Sequence, residues 1–491
     1  MERERIYRHL DEHLEETLGR LQEYVQQPSV SVDGAGLREC AELVAEHYRG
    51  LGCAEVELVE TETFPGVWAF FDAGAPLTIV NYNMYDVRSG GKRSDWVHDP
   101  FAATIEQRGD FPRVLYGRGA LVPKGPDTAW LGALASIRAV TGTLPVNVAF
   151  LAEGDEILGS QSYAGLIERY RERLWHANAC VYLRASQNAG GELPLILGYK
   201  TFITLELRAS GKAWGRGPVS DAAHSATRPI VDSPALRIAQ VLESLYSKGG
   251  EIAIDGWGEA IEAPTMPEAD ADIVKGLLER FRGKGWTDVI PGLAGTGLTR
   301  FAGDLAGDEV LTRYIYGSSL NVQGLRAGYT GPGTRTYTIP EEATARLDAR
   351  LVTETPPDKL IAALRAHLDS RGYSDVEVVV LSAYPGSRTS QDAPIVKSFI
   401  RAAEKAGGKV TIWPLQGYGG PWSIFVRDFG MPLVFASGIG HGGGVGQPDE
   451  YLVIDGGGKV SGFLDMQRFC VDFILDFAET ASVDKLKGAV V

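Results

Sequence analysis

Four short segments hold most of the residues in this chain that could do chemistry. They are Asn83-Met84-Tyr85-Asp86-Val87, Tyr116-Gly117-Arg118-Gly119-Ala120-Leu121-Val122-Pro123-Lys124-Gly125, Glu153-Gly154-Asp155-Glu156-Ile157-Leu158-Gly159-Ser160 and Gly446-Gln447-Pro448-Asp449-Glu450-Tyr451. Several chemistries are excluded by what these segments lack. Gly117, Gly119 and Gly125 do not follow the G-x-x-x-x-G-K-[ST] order of a phosphate loop. No G-x-S-x-G surrounds a serine and no cysteine lies inside a motif, which leaves little basis for covalent nucleophilic catalysis. Cys40, Cys53, Cys180 and Cys470 are widely spaced without a C-x-x-C pair, so they read as reduced, buried thiols rather than a disulfide frame or thiolate zinc site. What remains is acid–base chemistry or metal ligation by Asp86, Asp155, Glu156 and Asp449, with His98 and His441 as the nearest imidazoles.

The elements that must position these residues follow from pattern. At 491 residues the chain is too long for one ordinary core, and two domains, or one with a large insertion, are expected. A hydrophobic content of 44% with 23% charged residues is that of a globular protein. A net charge of −15 argues against a nucleic-acid surface or an anionic-membrane binder. With no apolar leader behind Met1 and no apolar run of membrane-spanning length, the expected location is cytoplasmic, with no membrane partner.

Helical spacing over residues 5–27 stops at Pro28, and residues 37–51 read as a second amphipathic helix. Apolar runs at 77–82, 146–151 and 179–183 then alternate with helical stretches at 127–140 and 160–170. That rhythm predicts an α/β domain with a mostly parallel sheet covered on both faces. From about residue 200 the pattern becomes strand (201–208), helix (233–246), a Gly-rich segment (321–333), strand (344–352), helix (356–371) and strand (376–381). This predicts a small open sheet with helices on one face. The α/β rhythm resumes at 393–406, 410–413, 433–436 and 461–481. The expected domains are therefore 1–199 with 385–491, and an insert at 200–384. The stretch 247–316, with Trp257 and Trp286, contains no motif.

The four segments, in this order, resemble the two-zinc peptidase and deacylase family that includes carnosinase, acetylornithine deacetylase and succinyl-diaminopimelate desuccinylase. Trp96-Val97-His98-Asp99-Pro100-Phe101, Ala223-His224-Ser225, Asn321, the run from Gly328 to Gly333, Arg350 and Gly419-Gly420-Pro421-Trp422-Ser423 extend the likeness nearly end to end. It implies a three-layer phosphorylase/hydrolase-like catalytic domain carrying an α+β ferredoxin-like lid and dimerisation domain. It also implies a homodimer in which His224 reaches the partner's active site. Arg350 would anchor the carboxylate of a small amino-acid-like substrate, with Asn321, Gly419, Gly420, Ser423, Asp86 and Lys124 as further substrate-side positions.

The family's metal ligands fall here on Met84, Val122, Ile157, Arg184 and Gly446. Apolar side chains and glycine offer nothing useful to Zn²⁺, and arginine repels it, so no metal and no cofactor are expected. A site rebuilt from His98, His441, Asp86, Asp155 or Asp449 is the escape route. Glu156 aligns with the family's general base, and apolar neighbours would raise its pKa, while Arg184 would lower it and could stabilise an oxyanion. Asp86 is expected to pair with Arg184 or Lys124.

The reading placed first is a metal-independent enzyme on a peptidase scaffold. It would act on a carboxylate-bearing amino-acid or acyl-amino-acid substrate, by hydrolysis or by proton transfer as an isomerase, epimerase or lyase. Glu156, His224 and Arg184 would be its catalytic residues. The alternatives are a non-catalytic ligand-binding relative and a zinc dipeptidase or deacylase with a rebuilt site.

Overall fold

The computed structural model describes residues 2–261 and 266–481. It divides into two compact units, Met1–Gly198 with Arg388–Pro414 and Ile424–Val491, and Tyr199–Ser387 with Leu415–Ser423.

The first unit is built on a six-stranded mixed sheet. Its strand order is Glu55–Val59, Gly66–Phe71, Asn147–Glu153, Thr78–Met84, Ala179–Leu183 and Leu433–Ser437. The last four run parallel, and Gly66–Phe71 and Glu55–Val59 extend one edge antiparallel. The parallel strands read as continuous apolar runs because both faces are covered; Ala179–Leu183 is buried at every position. Helix Leu37–Leu51 buries Leu37, Cys40, Ala41, Val44, Ala45, Tyr48 and Leu51, a stripe at helical spacing. Gly52, at φ +93°, ends it in the left-handed conformation that favours glycine. Helix Gly125–Thr141 carries Pro126 in its first turn, where the missing N–H costs nothing.

The helix expected over 5–27 is two, Glu2–Glu12 and Leu14–Gln26. The break is slight, since the backbone bonds from His13 N–H to His9 O and from Thr17 N–H to His13 O persist at 3.1 and 3.0 Å.

In the second unit four antiparallel strands lie in the order Ser319–Ala327, Glu342–Leu351, Thr201–Ser210 and Glu377–Tyr384. Alternate residues of the inner strands, Ile203, Leu205, Leu207, Leu347 and Leu351, pack with Ile238 and Val241 of helix Pro234–Ser244 and Leu360 and Leu364 of helix Pro357–Ser370. The segment read as merely Gly-rich begins as the exposed edge strand Ser319–Ala327, whose backbone pairing needs no apolar alternation. Of the motif-free stretch 247–316, residues 262–265 lie outside the described residues; the remainder includes helices Ala271–Arg280 and Glu309–Tyr316. Among the described residues, no helix is long and apolar enough to cross a membrane.

Candidate functional site

Parallel strands bring their carboxyl ends to one edge of a sheet, which is where open α/β sheets form their sites. In the first unit Met84 ends its strand in register with Glu153, and Arg184 follows Leu183 directly. Two buried carboxylates fix the loops that continue from this edge. Asp86, fully buried, accepts hydrogen bonds from the N–H groups of Glu156 (3.1 Å) and Ile157 (3.0 Å) and from the Ser31 hydroxyl (2.7 Å). Glu450 accepts from the N–H groups of Leu121 (3.2 Å), Val122 (3.3 Å) and Gly446 (3.4 Å). It also forms a buried ion pair with Arg118 at 2.8 Å. Val122, Ile157 and Gly446 are thus held by carboxylates that bond backbone, not side chains.

The charged groups there are unevenly satisfied. The half-buried Glu156 carboxyl is pushed up by desolvation and pulled back by Arg184 and Arg88. The Arg184 guanidinium lies 5.2 Å from the Tyr182 ring centroid, and its buried Nε has no hydrogen-bond partner. Gly446 sits at φ +69°, and a Cβ there would lie 2.8 Å from Arg88 Cδ. Burial raises Asp86 to about 7, with Glu156's charge adding to the effect. Asp127, in the first turn of helix Gly125–Thr141, is raised by burial to about 7, an effect Asn83 offsets only in part.

Several expectations are corrected here. Asp86 pairs with neither Arg184 nor Lys124, because its oxygens are committed to Ser31 and two backbone N–H groups. Lys124 is no substrate contact. Its fully buried ammonium donates to the carbonyls of Tyr24 (2.9 Å) and Gln27 (2.6 Å) and sits 4.9 Å from the Tyr24 ring centroid. The groups considered for a rebuilt metal site point elsewhere. His98 Nε2 meets Glu106 at 2.8 Å, and His441 Nδ1 meets the Gln187 carbonyl at 2.8 Å. Asp155 accepts from the Thr63 hydroxyl (2.7 Å), and Asp449 from the Val97 N–H (3.0 Å).

In the second unit the Arg350 guanidinium stacks 3.9 Å from the Phe202 ring centroid, bonds Asp348 through Nε at 2.8 Å and reaches the Gly417 carbonyl at 3.5 Å. Asn321 lies opposite Asp348 on the neighbouring strand, hence on the same sheet face as Arg350. Gly419 has no room for a side chain, since a Cβ would fall 2.6 Å from Lys200 O and 2.7 Å from Phe202 Cβ. A Cβ on Gly420 would meet the Trp422 ring. Ser423 is another correction: fully buried, its hydroxyl sits 3.0 Å from that of Ser387 and is part of the packing. His224 is exposed, with Nδ1 accepting from the Ala226 N–H at 3.1 Å. Lys200 was not foreseen in this unit. Burial, then Arg350's charge, lowers its ammonium to about 8 while it donates to the Tyr314 and Gly317 carbonyls.

The sequence profile of Peptidase family M20/M25/M40 matches residues 85–463. The chain belongs to this family. Relatives of this M20-family chain include the Beta-Ala-His dipeptidase of Rattus norvegicus, 26% identical over 388 residues, covering 75% of this chain and 73% of the relative. The Cys-Gly metallodipeptidase dug1 of Schizosaccharomyces pombe is 23% identical, covering 75% and 76%. Among solved structures, the M20 family metallo-carboxypeptidase Sso-CP2 from Sulfolobus solfataricus superposes with a TM-score of 0.80 at 26% identity, covering 94% of this chain and 99% of that one.

These relatives overturn the expectation of a metal-independent enzyme. They are peptidases, two of them named for a metal, and they point to metal-dependent peptidase chemistry in the family. A metal-free hydrolase, isomerase, epimerase or lyase built on Glu156 is therefore withdrawn. The residues where the resemblance places the five metal ligands nevertheless do not fit a metal ion. Met84, Val122 and Ile157 are apolar, Gly446 has no side chain, and Arg184 is cationic. Among the described residues no group of three or more His, Cys, Asp or Glu side chains could hold one.

Proposed function

We propose that this M20-family chain recognises a dipeptide-like small molecule, with Arg350 as the anchor for its terminal carboxylate. The observation that supports this most is Arg350 itself. It is a half-buried guanidinium stacked on Phe202 beside the Gly417–Gly419 backbone, in a chain whose relatives are named dipeptidases. A planar guanidinium matches a carboxylate in two parallel hydrogen bonds. Asp348 holds that fork in place and must yield part of it to a ligand. The reading includes a homodimer, in which the exposed His224 serves the partner subunit, an inserted lid domain and a cytoplasmic setting.

The test is calorimetric titration of β-Ala-His, Cys-Gly and a panel of neutral and acidic dipeptides. Cleavage is followed in parallel with Zn²⁺ or Mn²⁺ supplied. Saturable binding that falls about tenfold or more in Arg350→Gln supports the reading. Cleavage that requires added metal would extend it to peptidase activity. Failure of every dipeptide to bind would sink it.

A further inference from the structure

The groups that aim the Arg350 guanidinium all belong to the second unit. Phe202 stacks on its plane, Asp348 takes Nε at 2.8 Å and Nη2 at 3.3 Å, and the Gly417 carbonyl meets Nη1 at 3.5 Å. Phe202 and Asp348 are strand residues, whose places the sheet sets. The Gly417 carbonyl comes from a loop, so its place depends on what holds that loop. Backbone does so on one side: Gln416 bridges to Tyr199, and the Lys200 N–H donates to the Tyr418 carbonyl at 3.2 Å. On the other side the hold is a side chain, since the buried Gln416 accepts through Oε1 from the Tyr314 hydroxyl at 2.6 Å.

Tyr314 lies on helix Glu309–Tyr316, which closes the motif-free stretch 247–316. The buried Lys200 ammonium clamps the end of this helix, donating to the Tyr314 carbonyl at 2.8 Å and the Gly317 carbonyl at 2.6 Å. A helix leaves carbonyls unpaired at that end, and a cation is favoured there. The Tyr316 hydroxyl ties the same turn to Asp270 at 2.7 Å. The helix end is therefore a fixed platform, and the Tyr314 hydroxyl carries that fixity to the loop beside Arg350.

We infer that Tyr314 is a positioning residue for the carboxylate anchor: helix Glu309–Tyr316, clamped by Lys200, holds Gln416 and with it the Gly417 carbonyl that aims Arg350. The inference rests on the proposed function and gives the motif-free stretch a part in it, that of setting how tightly a ligand carboxylate is gripped. Paired hydrogen bonds from a guanidinium to a carboxylate demand alignment of the two planes. A loop that shifts lets the fork turn, and affinity falls only where the ligand has a carboxylate to be gripped. A ligand whose carboxylate is replaced by a neutral amide forms no such pair and is insensitive to the exact place of the loop.

The experiment titrates β-Ala-His and Cys-Gly, each beside its C-terminal amide, into wild type, Tyr314→Phe, Gln416→Met and the double variant by calorimetry. Wild type should prefer the acid about tenfold or more. Tyr314→Phe loses the bond to Gln416 and should reduce that preference about fivefold, the worth of one hydrogen bond. Its affinity for the amide should stay unchanged, which also shows that the variant folds. Gln416→Met and the double variant should give the same reduction, because each breaks the same bond. A loss shared equally by acid and amide, an unmoved preference, or losses that add in the double variant would overturn the positioning role and leave Arg350 as the anchor. Wild type that binds acid and amide alike, or binds neither dipeptide, would overturn the anchor and this inference with it.

Discussion

Glu450→Gln tests whether a single buried charge holds the loops at the strand-end site. Glu450 and Arg118 are 1% and 2% exposed, and their 2.8 Å contact is the only ion pair that either makes among the described residues. Glutamine keeps the shape and one acceptor, so the bonds from the Leu121 and Val122 N–H groups survive. What it removes is the charge opposite Arg118. Leaving one member of a buried pair uncompensated costs about 3–5 kcal/mol. Arg118 also donates to the carbonyls of Gln447 (3.1 Å) and Ser89 (3.2 Å) and stacks 4.9 Å from the Trp96 ring centroid, which places the expectation at the lower end, about 3 kcal/mol. That is a large fraction of a typical stability of roughly 5–15 kcal/mol. Urea denaturation at neutral pH of wild type, Glu450→Gln, Arg118→Met and the double variant measures it. The double variant should be more stable than Glu450→Gln alone, since it leaves no uncompensated buried charge. A loss below about 1 kcal/mol in Glu450→Gln, or strict additivity of the two single losses in the double variant, would refute the reasoning.

Asp127→Asn should stabilise the protein at high pH. The folded-state pKa of Asp127 is raised from 3.8 to about 7, so wild type loses stability as pH rises from about 4 through about 7, and the variant does not. The gap at pH 8 is on the order of 4 kcal/mol at most, from about 1.4 kcal/mol per pKa unit, and it closes below pH 4. Thermal melts at pH 5 and pH 8 that show no growing difference would dismiss it. Lys124→Met strips the donors from the Tyr24 and Gln27 carbonyls at the end of helix Leu14–Gln26 and should cost about 2–4 kcal/mol in urea denaturation. Gly446→Ala places a Cβ at φ +69° against the movable Arg88 side chain. The loss should be about 1–2 kcal/mol, mostly backbone strain, and Arg88→Ala should not relieve it.

The parallel strands and the amphipathic helices were legible because burial on both faces, or on one stripe, writes a pattern into the sequence. Residues 77–82, 146–151 and 179–183 mark the strands Thr78–Met84, Asn147–Glu153 and Ala179–Leu183 to within two residues at each end. The edge strand Ser319–Ala327 was not, since it is exposed along most of its length and only Leu320 and Val322 pack against the core. In the site, motif order located Met84, Asp86, Glu156 and Arg184 at adjoining strand ends. It could not tell which way Lys124 points, because that depends on where helix Leu14–Gln26 ends, a hundred residues earlier in the chain. Arg88 follows the first motif directly, yet only the space over Gly446 shows that it belongs to the site.

The uneven fate of the motif residues has one physical explanation. Asp86 and Glu450 serve backbone N–H groups that are buried or partly buried, and leaving a buried donor unpaired costs about 1–3 kcal/mol. These carboxylates are therefore demanded by the fold. The side chains of Met84, Val122, Ile157 and Arg184 satisfy no backbone group, so the fold places far weaker limits on their chemistry. A buried apolar residue such as Met84, 1% exposed, meets the packing requirement at the strand end. The framework and the chemistry of this site are thus under separate constraints, which is how an M20-family scaffold can present a guanidinium, that of Arg184, just past a strand end where the family resemblance places a metal ligand.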